Sequence, residues 1–383
     1  MKKHIVFATG SRADYGIMRR YLDLLNKDSD IELGIMATGA LLDKNYGHQV
    51  DLIYKDGFCV EVEIPLDLDT TSNRAVVHAM ADGMDKFADY FSKTKIDLLI
   101  ILGDRYEMLS VAVAAAMQRI PILHVHGGEA TFANYDEFIR HAITKMSTFH
   151  FTSTEVYRKR VIQLGEQPDR VFNVGALGAE NCLYINEKNV LKEVRQFPNK
   201  KYFVVLFHPE TLMDIDVVEQ VNQLLTAISF YKEYKFIFLG SNADTHSELI
   251  RSNIKSYVDE NNNAYYFENF HTDAYHYLLK HAICLIGNSS SGIIEAPSLG
   301  IYTVNIGRRQ DGRVKGNSVI DTVCDEESIR NAVDIVLKNY KNIAPVNPYY
   351  QENSSLKYYT KTKELIEILN ECREPKMFYD IDF

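Results

Sequence analysis

The sequence predicts an α/β protein made of two Rossmann-like domains, each built on a parallel β-sheet. Short runs of β-branched and aromatic residues alternate, along 383 residues, with longer segments whose apolar residues recur at helical spacing. About eleven such runs are too many for one doubly wound sheet. The chain is also longer than the size at which a single hydrophobic core stops growing.

The apolar runs are interpreted as strands and the segments between them as helices. The predicted strands are 5–8, 33–37, 98–102, 122–125, 149–152, 171–174, 203–207, 236–239, 264–267, 284–286 and 302–306. The predicted helices include 84–93, 108–118, 155–164, 217–231, 328–339 and 362–369. Because strands separated by helices form βαβ units, both sheets are expected to be parallel.

A polar, charged segment at 181–199 ends in Pro198-Asn199 and directly precedes a new strand. It predicts a linker between an N-terminal domain, residues 1–180, and a C-terminal domain, residues 181–354. Ligands of parallel sheets bind at the carboxyl ends of the strands, so a ligand cleft is expected between the domains.

Composition limits the class of protein. Hydrophobic residues make up 46% and charged residues 25%, which is ordinary for a globular chain. A net charge of −10 argues against nucleic acid as the main partner but leaves room for a small anionic substrate. The five cysteines are widely spaced and favour buried thiols in a reducing compartment. With neither a signal-peptide core nor a membrane span in the pattern, a cytoplasmic protein is expected.

Polar side chains follow six of the predicted strands, where each strand ends. These groups are Gly10-Ser11-Arg12, Gly103-Asp104-Arg105, His126-Gly127-Gly128-Glu129, His208-Pro209-Glu210, Gly240-Ser241-Asn242 and Gly287-Asn288-Ser289-Ser290-Ser291-Gly292. The carboxyl ends of parallel strands share one edge of a sheet, so the six groups together predict a functional site.

The loop at 287–292 is suited to an anion, because its backbone N–H groups and serine hydroxyls are donors. The helix expected from Ile293 would point its N-terminus at the same place. Arg308, Arg309 and Arg313 follow and could neutralise a pyrophosphate. The alternative interpretation is a polar turn beside a solvated basic surface. The first loop, GSRAD, is neither a dinucleotide fingerprint nor a Walker loop. Its Asp14 is interpreted either as the cap of the helix that starts there or as a contact to a substrate.

Three carboxylates, Asp104, Glu129 and Asp136, are candidates for acid and base catalysis, which needs paired groups in different environments. A turn residue paired with Arg105 is the alternative for Asp104, and a helix-start carboxylate is the alternative for Glu129. His208 precedes a proline that holds it extended. His124 and His126 alternate on a strand without a third suitably spaced ligand, so no metal site is predicted.

The motifs GSRADYG, LGDRYE, HVHGGE, DEFIRHAITK, FHPE, GNSSSG and NIGRRQDGR together resemble the UDP-N-acetylglucosamine 2-epimerase family, most closely its hydrolysing branch. The resemblance runs from residue 4 to about 340. It implies a GT-B fold, with a C-terminal helix at about 355–383 that packs back on the first domain. It also implies a reaction without metal or NAD: elimination of UDP to a 2-acetamidoglycal, followed by hydration to the 2-epimeric free sugar.

The resemblance also implies roles for individual residues. The catalytic carboxylates are Glu129, which would exchange the proton at C2, and Asp104, which would handle the water or a sugar hydroxyl, with Asp136 as a third acidic group. His208 would assist the leaving diphosphate, and Glu295 would hold the ribose hydroxyls. The remaining contacts to UDP would come from Arg12, Arg105, Asn242, Ser289, Ser290 and Arg309.

Two alternatives within the family stay open. Ser11-Arg12-Ala13-Asp14 differs from the T-R-P-E type loop of the non-hydrolysing branch and favours hydrolysis. The motifs do not separate UDP-N-acetylglucosamine from the UDP-2,4-diacetamido-trideoxy sugar of a related branch. A GT-B glycosyltransferase and a non-catalytic nucleotide-sugar regulator are the rival classes. A homodimer or homotetramer is expected from the resemblance.

Overall fold

The computed structural model describes residues 2–44, 47–68, 72–132, 135–210, 216–240, 247–268, 271–371 and 376–381. The chain divides into two compact units. The N-terminal unit comprises Met1–Glu129, Asp136–Leu177 and Gln351–Phe383, and the C-terminal unit comprises Ala130–Tyr135 and Gly178–Tyr350. The domain limits that the sequence predicts, 1–180 and 181–354, stay a prediction.

The N-terminal unit contains a seven-stranded sheet. Its strands are β1 (Lys3–Thr9), β2 (Ile31–Thr38), β3 (Val60–Ile64), β4 (Leu98–Leu102), β5 (Ile122–Val125), β6 (Phe149–Thr152) and β7 (Val171–Asn173). They lie in the order β3-β2-β1-β4-β5-β6-β7, and every pair is parallel. All five residues of β4 are buried, as expected for a central strand covered on both faces.

The C-terminal unit contains a six-stranded sheet. Its strands are β8 (Tyr202–Leu206), β9 (Lys235–Leu239), β10 (Ala264–Phe267), β11 (Cys284–Gly287), β12 (Tyr302–Ile306) and β13 (Val319–Thr322). Their order is β10-β9-β8-β11-β12-β13, again with every pair parallel. Each sheet has its own hydrophobic core, so the interior of each unit is packed separately.

Fourteen helices connect the strands within the described part of the chain. They are α1 (Arg12–Asn26), α2 (Asp51–Lys55), α3 (Asn73–Lys93), α4 (Tyr106–Met117), α5 (Asp136–Met146), α6 (Glu155–Gln163), α7 (Leu177–Asn181), α8 (Lys192–Arg195), α9 (Val217–Ser229), α10 (Ser247–Glu260), α11 (Thr272–His281), α12 (Ser291–Ile294), α13 (Glu326–Asn339) and α14 (Ser354–Glu371). Side-chain N-caps such as Ser11, Thr154 and Asp325 each satisfy an N–H group of the first turn.

The last helix, α14, belongs to the N-terminal unit although it lies at the end of the chain. The Tyr358 hydroxyl donates to the Gly175 carbonyl at 2.9 Å, and the hydroxyls of Thr362 and Tyr21 on α1 lie 2.7 Å apart. Tyr358 and Tyr21 are fully buried. The C-terminal segment is therefore part of the N-terminal core.

All eleven predicted strands are present, with ends shifted by two residues at most. Two further strands, β3 and β13, are not among the predicted ones, and both are edge strands. Their residues are mostly partly exposed, so they lack the continuous apolar run that marks a central strand. The predicted linker is not free of structure, because α8 and a 3-10 turn at Glu187–Asn189 lie within it.

The two sheets share one topological feature that positions functional groups. Strand order reverses between β1 and β4 in the first sheet and between β8 and β11 in the second. In open α/β sheets, ligands bind outside the carboxyl ends of the strands at such switch points. The loops after these four strands are thus the first place to look for a site. No helix in the described residues is long and apolar enough to cross a bilayer.

Candidate active site

In the N-terminal unit, the site is organised by Arg140, a guanidinium that is fully buried on α5. Its Nε donates to Oδ2 of Asp104 at 2.9 Å, and its Nη2 donates to the same oxygen. Its Nη1 donates to the Glu129 carbonyl at 2.9 Å and to Oε2 of Glu137 at 3.0 Å. One arginine therefore ties the loops after β4 and β5 to α5 and compensates Asp104.

Glu129 has a different set of neighbours and is only 2% exposed. The Ser153 hydroxyl donates to Glu129 Oε1 at 2.9 Å, and His126 Nδ1 lies 3.7 Å from the same oxygen. His126 has a φ of +66°, a left-handed conformation that is costly for a non-glycine residue. Asp104 thus contacts a permanent charge, whereas Glu129 contacts a hydroxyl and an imidazole that can exchange protons.

His124 positions the Asp104 loop rather than acting on a ligand. Its Nε2 lies 2.8 Å from the Gly103 carbonyl, and its Nδ1 lies 3.0 Å from the Thr144 hydroxyl. Burial lowers the pKa of His124 to about 3, so the imidazole is neutral and donates to one group while accepting from the other. His124 holds the Gly103 turn in place.

The loop after β1 lies against the Arg105–Glu107 pair. Arg105 Nε contacts Oε1 of the buried Glu107 at 2.5 Å, and a Cβ on Gly10 would lie 2.5 Å from that oxygen. Arg12, the first residue of α1, is partly buried, and burial lowers the pKa of its guanidinium. A side chain at Gly10 would displace the Glu107 carboxylate.

Ser11, not Asp14, caps α1, since the Ser11 hydroxyl accepts from the Asp14 N–H at 3.2 Å. Burial raises the pKa of the Asp14 carboxyl to about 6, against the opposing charge of Arg105. Asp136 is the first residue of α5, one turn before Arg140, and its side chain is partly buried. The predicted residues of this unit thus share the carboxyl edge of the sheet.

In the C-terminal unit, Asn288 joins the loops at the β8–β11 switch point. The His208 N–H donates to Asn288 Oδ1 at 2.7 Å, and Asn288 Nδ2 donates to the His208 carbonyl at 2.8 Å. Gln310 Nε2 donates to the Asn288 carbonyl at 2.8 Å. These bonds fix the backbone of His208, the histidine expected to assist the leaving diphosphate.

The serine loop after β11 is held by hydroxyl contacts. The hydroxyls of Ser289 and Ser291 lie 3.0 Å apart, and the Tyr275 hydroxyl lies 2.5 Å from that of Ser291. The helix expected from Ile293 is only the single turn α12, which begins at Ser291. The expectation of a longer helix is wrong, and a helix of one turn adds little dipole at this loop. The donors that this loop offers to an anion are therefore the backbone N–H and hydroxyl groups of Ser289 and Ser290.

Glu295 directly follows α12 and is 9% exposed. Its Oε2 lies 3.0 Å from Nε2 of His276, a buried residue of α11 that is not among the predicted site residues. This contact fixes the rotamer of Glu295. The carboxylate can accept further hydrogen bonds, as a group that binds vicinal hydroxyls needs to.

Glu210 organises the arginine loop after β12. Its Oε1 accepts from the backbone N–H groups of Arg308 at 2.6 Å and Arg309 at 3.0 Å. Arg309 Nη1 donates to the Asn288 carbonyl at 3.3 Å. Asn242, the remaining predicted contact, lies outside the described residues.

The site in each unit also depends on residues that sequence patterns alone did not identify. Arg140, Ser153 and Gln310 contact predicted residues from distant parts of the chain. Only the presence of polar residues in otherwise buried segments hinted at them. Within the described ranges, no group of three or more His, Cys, Asp or Glu side chains could hold a metal ion.

Comparison with known proteins gives this geometry a context. The family model described as UDP-N-acetylglucosamine 2-epimerase matches residues 23–361. Polysialic acid biosynthesis protein P7 of Escherichia coli is 45% identical, over 99% of this chain and 98% of that protein. The hydrolysing GDP/UDP-N,N'-diacetylbacillosamine 2-epimerase of Campylobacter jejuni is 36% identical, over 84% of both.

Comparison with solved structures shows the same fold. The crystal structure of UDP-GlcNAc 2-epimerase from Neisseria meningitidis bound to UDP-GlcNAc matches with a TM-score of 0.78 at 18% identity, over 95% of this chain and all of that one. This match confirms the predicted fold class of two Rossmann-like parallel-sheet units, as found in GT-B proteins. On the family model and the identity to its relatives, the chain belongs to the UDP-N-acetylglucosamine 2-epimerase family.

Proposed function

We propose that this chain is a hydrolysing 2-epimerase that converts UDP-N-acetylglucosamine and water into N-acetylmannosamine and UDP. In the first step the C1–O bond to UDP breaks and the C2 proton passes to an enzyme base, giving 2-acetamidoglucal. In the second step the oxygen of water bonds to C1 while a proton adds to C2 on the opposite face. The products are UDP and the free 2-epimeric sugar.

The observation that carries this proposal is the unequal partnering of two carboxylates at neighbouring strand ends. Asp104 is paired with the permanently charged Arg140, whereas Glu129 contacts Ser153 and His126. Acid and base steps on one substrate need two groups whose environments differ. Glu129 is assigned to proton exchange at C2, and Asp104 to the water or a sugar hydroxyl. Asp136 is the third acidic group of the proposal.

The C-terminal unit supplies the donors that the leaving nucleotide requires. His208, held by Asn288, is assigned to the diphosphate, together with Arg309 on the loop fixed by Glu210. Ser289, Ser290 and Asn242 are assigned to UDP, as are Arg12 and Arg105 of the other unit. Glu295 is assigned to the ribose hydroxyls. Donors placed where negative charge develops lower the barrier to loss of a diphosphate.

The substrate is proposed from the relatives. The relative of 45% identity is named for polysialic acid biosynthesis, which supports an N-acetylmannosamine product. The relative of 36% identity is named for a diacetylbacillosamine substrate and for hydrolysis. It supports the hydrolytic outcome and makes the UDP-2,4-diacetamido sugar the second candidate. The Neisseria meningitidis structure of the same fold is bound to UDP-GlcNAc, which supports a nucleotide-sugar ligand for this chain. The protein is also proposed to be a cytoplasmic homo-oligomer.

The test is turnover of UDP-N-acetylglucosamine and, separately, its 2,4-diacetamido analogue in D2O. We expect UDP and free N-acetylmannosamine carrying deuterium at C2. An epimerised sugar still attached to UDP would assign the chain to the non-hydrolysing reaction. Turnover of the analogue alone would make the UDP-2,4-diacetamido sugar the substrate. No turnover of either sugar would contradict the proposal.

Two matched pairs of variants separate catalysis from binding. Asp104→Asn and Glu129→Gln keep the side-chain shape, and we expect at least about 100-fold lower kcat with UDP affinity kept within a few fold. Asp85→Asn and Glu193→Gln, the same substitutions at exposed positions, should leave kcat unchanged. If the first pair kept full activity, the carboxylates would not be catalytic and a simple transferase or a binding protein would be favoured.

A further inference from the structure

A cavity of about 840 Å³ lies at the edge of the seven-stranded sheet opposite to Asp104. Its walls include residues at the start of strands, such as Lys3 of β1, Pro121 before β5, and Arg170 before β7. Asp104 lies two residues after the carboxyl end of β4, so the length of the strands separates it from this cavity. This cavity, called the amino-edge cavity below, is not part of the candidate active site.

The amino-edge cavity is strongly basic in a chain whose net charge is −10. Its lining contains five cationic side chains and one carboxylate: Lys3, Lys95, Arg119, Arg170, Lys376 and Asp97. A cluster of like charges is electrostatically unfavourable for the folded protein unless something compensates it. The cavity therefore has the charge of an anion-binding site.

The partners of these cations show which of them remain available. Lys3 lies 3.6 Å from Asp97. Lys376 donates to the Lys145 and Ser147 carbonyls at the end of α5, at 2.7 and 2.8 Å. Its ammonium also pairs with the buried carboxylate of Glu166 at 2.7 Å. The positive charge of Lys376 is consequently compensated within the protein.

Lys95, Arg119 and Arg170 differ from the other two. In the part of the chain that the structure describes, none of the three pairs with a carboxylate. Arg170 lies with its guanidinium carbon 6.0 Å from the centre of the Phe149 ring, a contact that leaves its hydrogen-bond donors for other groups. Among the described residues, these three are the cations of the lining that no carboxylate pairs with; Lys95 and Arg119 are exposed and Arg170 is half-buried.

The backbone at Arg119 gives a second, independent indication. Arg119 lies in the turn between α4 and β5 with a φ of +58°. Glycine or asparagine would occupy this conformation at lower cost, since a left-handed non-glycine residue is strained by about 1 kcal/mol. Strain retained at one residue of a cavity wall points to a function of its side chain.

Apolar residues complete the amino-edge cavity, among them Ile120 of the same turn and Ile366 and Leu369 of α14. A ligand for such a cavity combines an apolar face with concentrated negative charge. Three cations that no described carboxylate pairs with exceed what a single carboxylate neutralises but suit a phosphate or diphosphate, which arginine binds in fork geometry. The volume is that of ordinary small-molecule sites.

We propose that the amino-edge cavity binds a phosphorylated small molecule of nucleotide size. Its phosphates contact Arg119, Arg170 and Lys95, and its ring lies on the apolar wall of Ile120, Ile366 and Leu369. This binding is separate from the epimerase reaction and is tested without measuring turnover.

The experiment is calorimetric titration of the full chain with ATP, pyrophosphate and adenosine. ATP is expected to bind with a Kd below about 1 mM, to bind more tightly than pyrophosphate, and to weaken steeply with salt. Adenosine should not bind detectably. Absence of ATP binding to the unaltered protein would overturn the proposal. Equal affinity for pyrophosphate and ATP would overturn the role given to the apolar wall.

Variants locate the binding and separate it from the candidate active site. In Arg119→Gln/Arg170→Gln we expect ATP affinity to fall at least 10-fold, whereas Lys159→Gln/Lys338→Gln, at exposed positions outside the cavity, should bind as the unaltered protein does. Equal affinity in both double variants would refute the location. Arg119→Gly removes the guanidinium and relieves the positive φ, so its Tm should be at least that of the unaltered protein while ATP binds more weakly. A lower Tm would contradict the strain argument.

Discussion

Replacing Arg140 by methionine tests whether one buried guanidinium holds the acidic site together. Methionine keeps much of the aliphatic volume, but the carboxylates of Asp104 and Glu137 and the Glu129 carbonyl lose their donors. Removing one partner of a buried ion pair costs about 3–5 kcal/mol. The two carboxylates are each 22% exposed and recover some hydration, so we expect the low end, about 3 kcal/mol in the free energy of unfolding.

Arg158→Met is the matched control. Arg158 donates three hydrogen bonds, against four from Arg140, to the carbonyls of Val171 and Pro168 and to Glu155, but its side chain is 30% exposed. Water replaces much of what is lost there, so we expect about 1 kcal/mol. The contrast between the two variants therefore isolates burial as the cause.

Urea unfolding followed by far-UV circular dichroism measures both variants, since the chain contains no tryptophan to report by fluorescence. The midpoint should fall much further for Arg140→Met than for Arg158→Met at similar slopes. Equal losses would refute the reasoning that the buried ion pair, rather than hydrogen bonding in general, stabilises this region.

Three further outcomes are expected. Because the pKa of His124 is lowered to about 3 in the folded state, the unfolded chain binds more protons between about pH 6.5 and 3, so stability falls as pH falls through that window. His124→Gln should reduce the loss between pH 6.5 and 4.5 by on the order of 2 kcal/mol, and an unchanged pH profile would contradict the assignment. Glu210→Ala frees the two backbone N–H groups of the arginine loop and should raise KM for the nucleotide sugar several-fold. Glu210→Gln keeps an acceptor for these groups and should change KM little. Equal effects of the two variants on KM would exclude the anchoring role of Glu210. A Cβ on Gly287 would lie 1.9 Å from the Leu206 carbonyl oxygen, so Gly287→Ala should prevent soluble expression. Gly300 also has a positive φ but lies in open space, so Gly300→Ala should lower the free energy of unfolding by only about 1 kcal/mol. Normal yield of the Gly287 variant would refute this prediction.

The central strands and the catalytic candidates were predictable from sequence for the same physical reason. A strand buried on both faces needs a continuous apolar run, and a charged residue in the short loop after such a run is conspicuous. Asp104, two residues after β4, and Glu129, four residues after β5, both lie in such loops. The edge strands β3 and β13 carry no such run because one side of each lacks a neighbouring strand.

The partners of the candidates were not predictable, because they depend on distance in space rather than along the chain. Arg140 is 36 residues from Asp104, and Asn288 is 80 residues from His208. Both lie in motifs whose pattern indicates only a helix or a polar loop. Even the local capping of α1 was ambiguous, since Ser11 and Asp14 both have suitable side chains, and only the geometry assigns the cap to Ser11.

The inclusion of α14 in the N-terminal unit has a consequence for how the protein is made. A ribosome synthesises the strands of the first sheet early, yet Tyr358 and Thr362, which complete that core, emerge only after the entire C-terminal unit. The first unit is therefore the first to start folding and the last to finish. A premature stop after residue 350 would spare every candidate site residue and still leave Tyr21 uncovered, so loss of the C-terminal end should appear as instability of the N-terminal half.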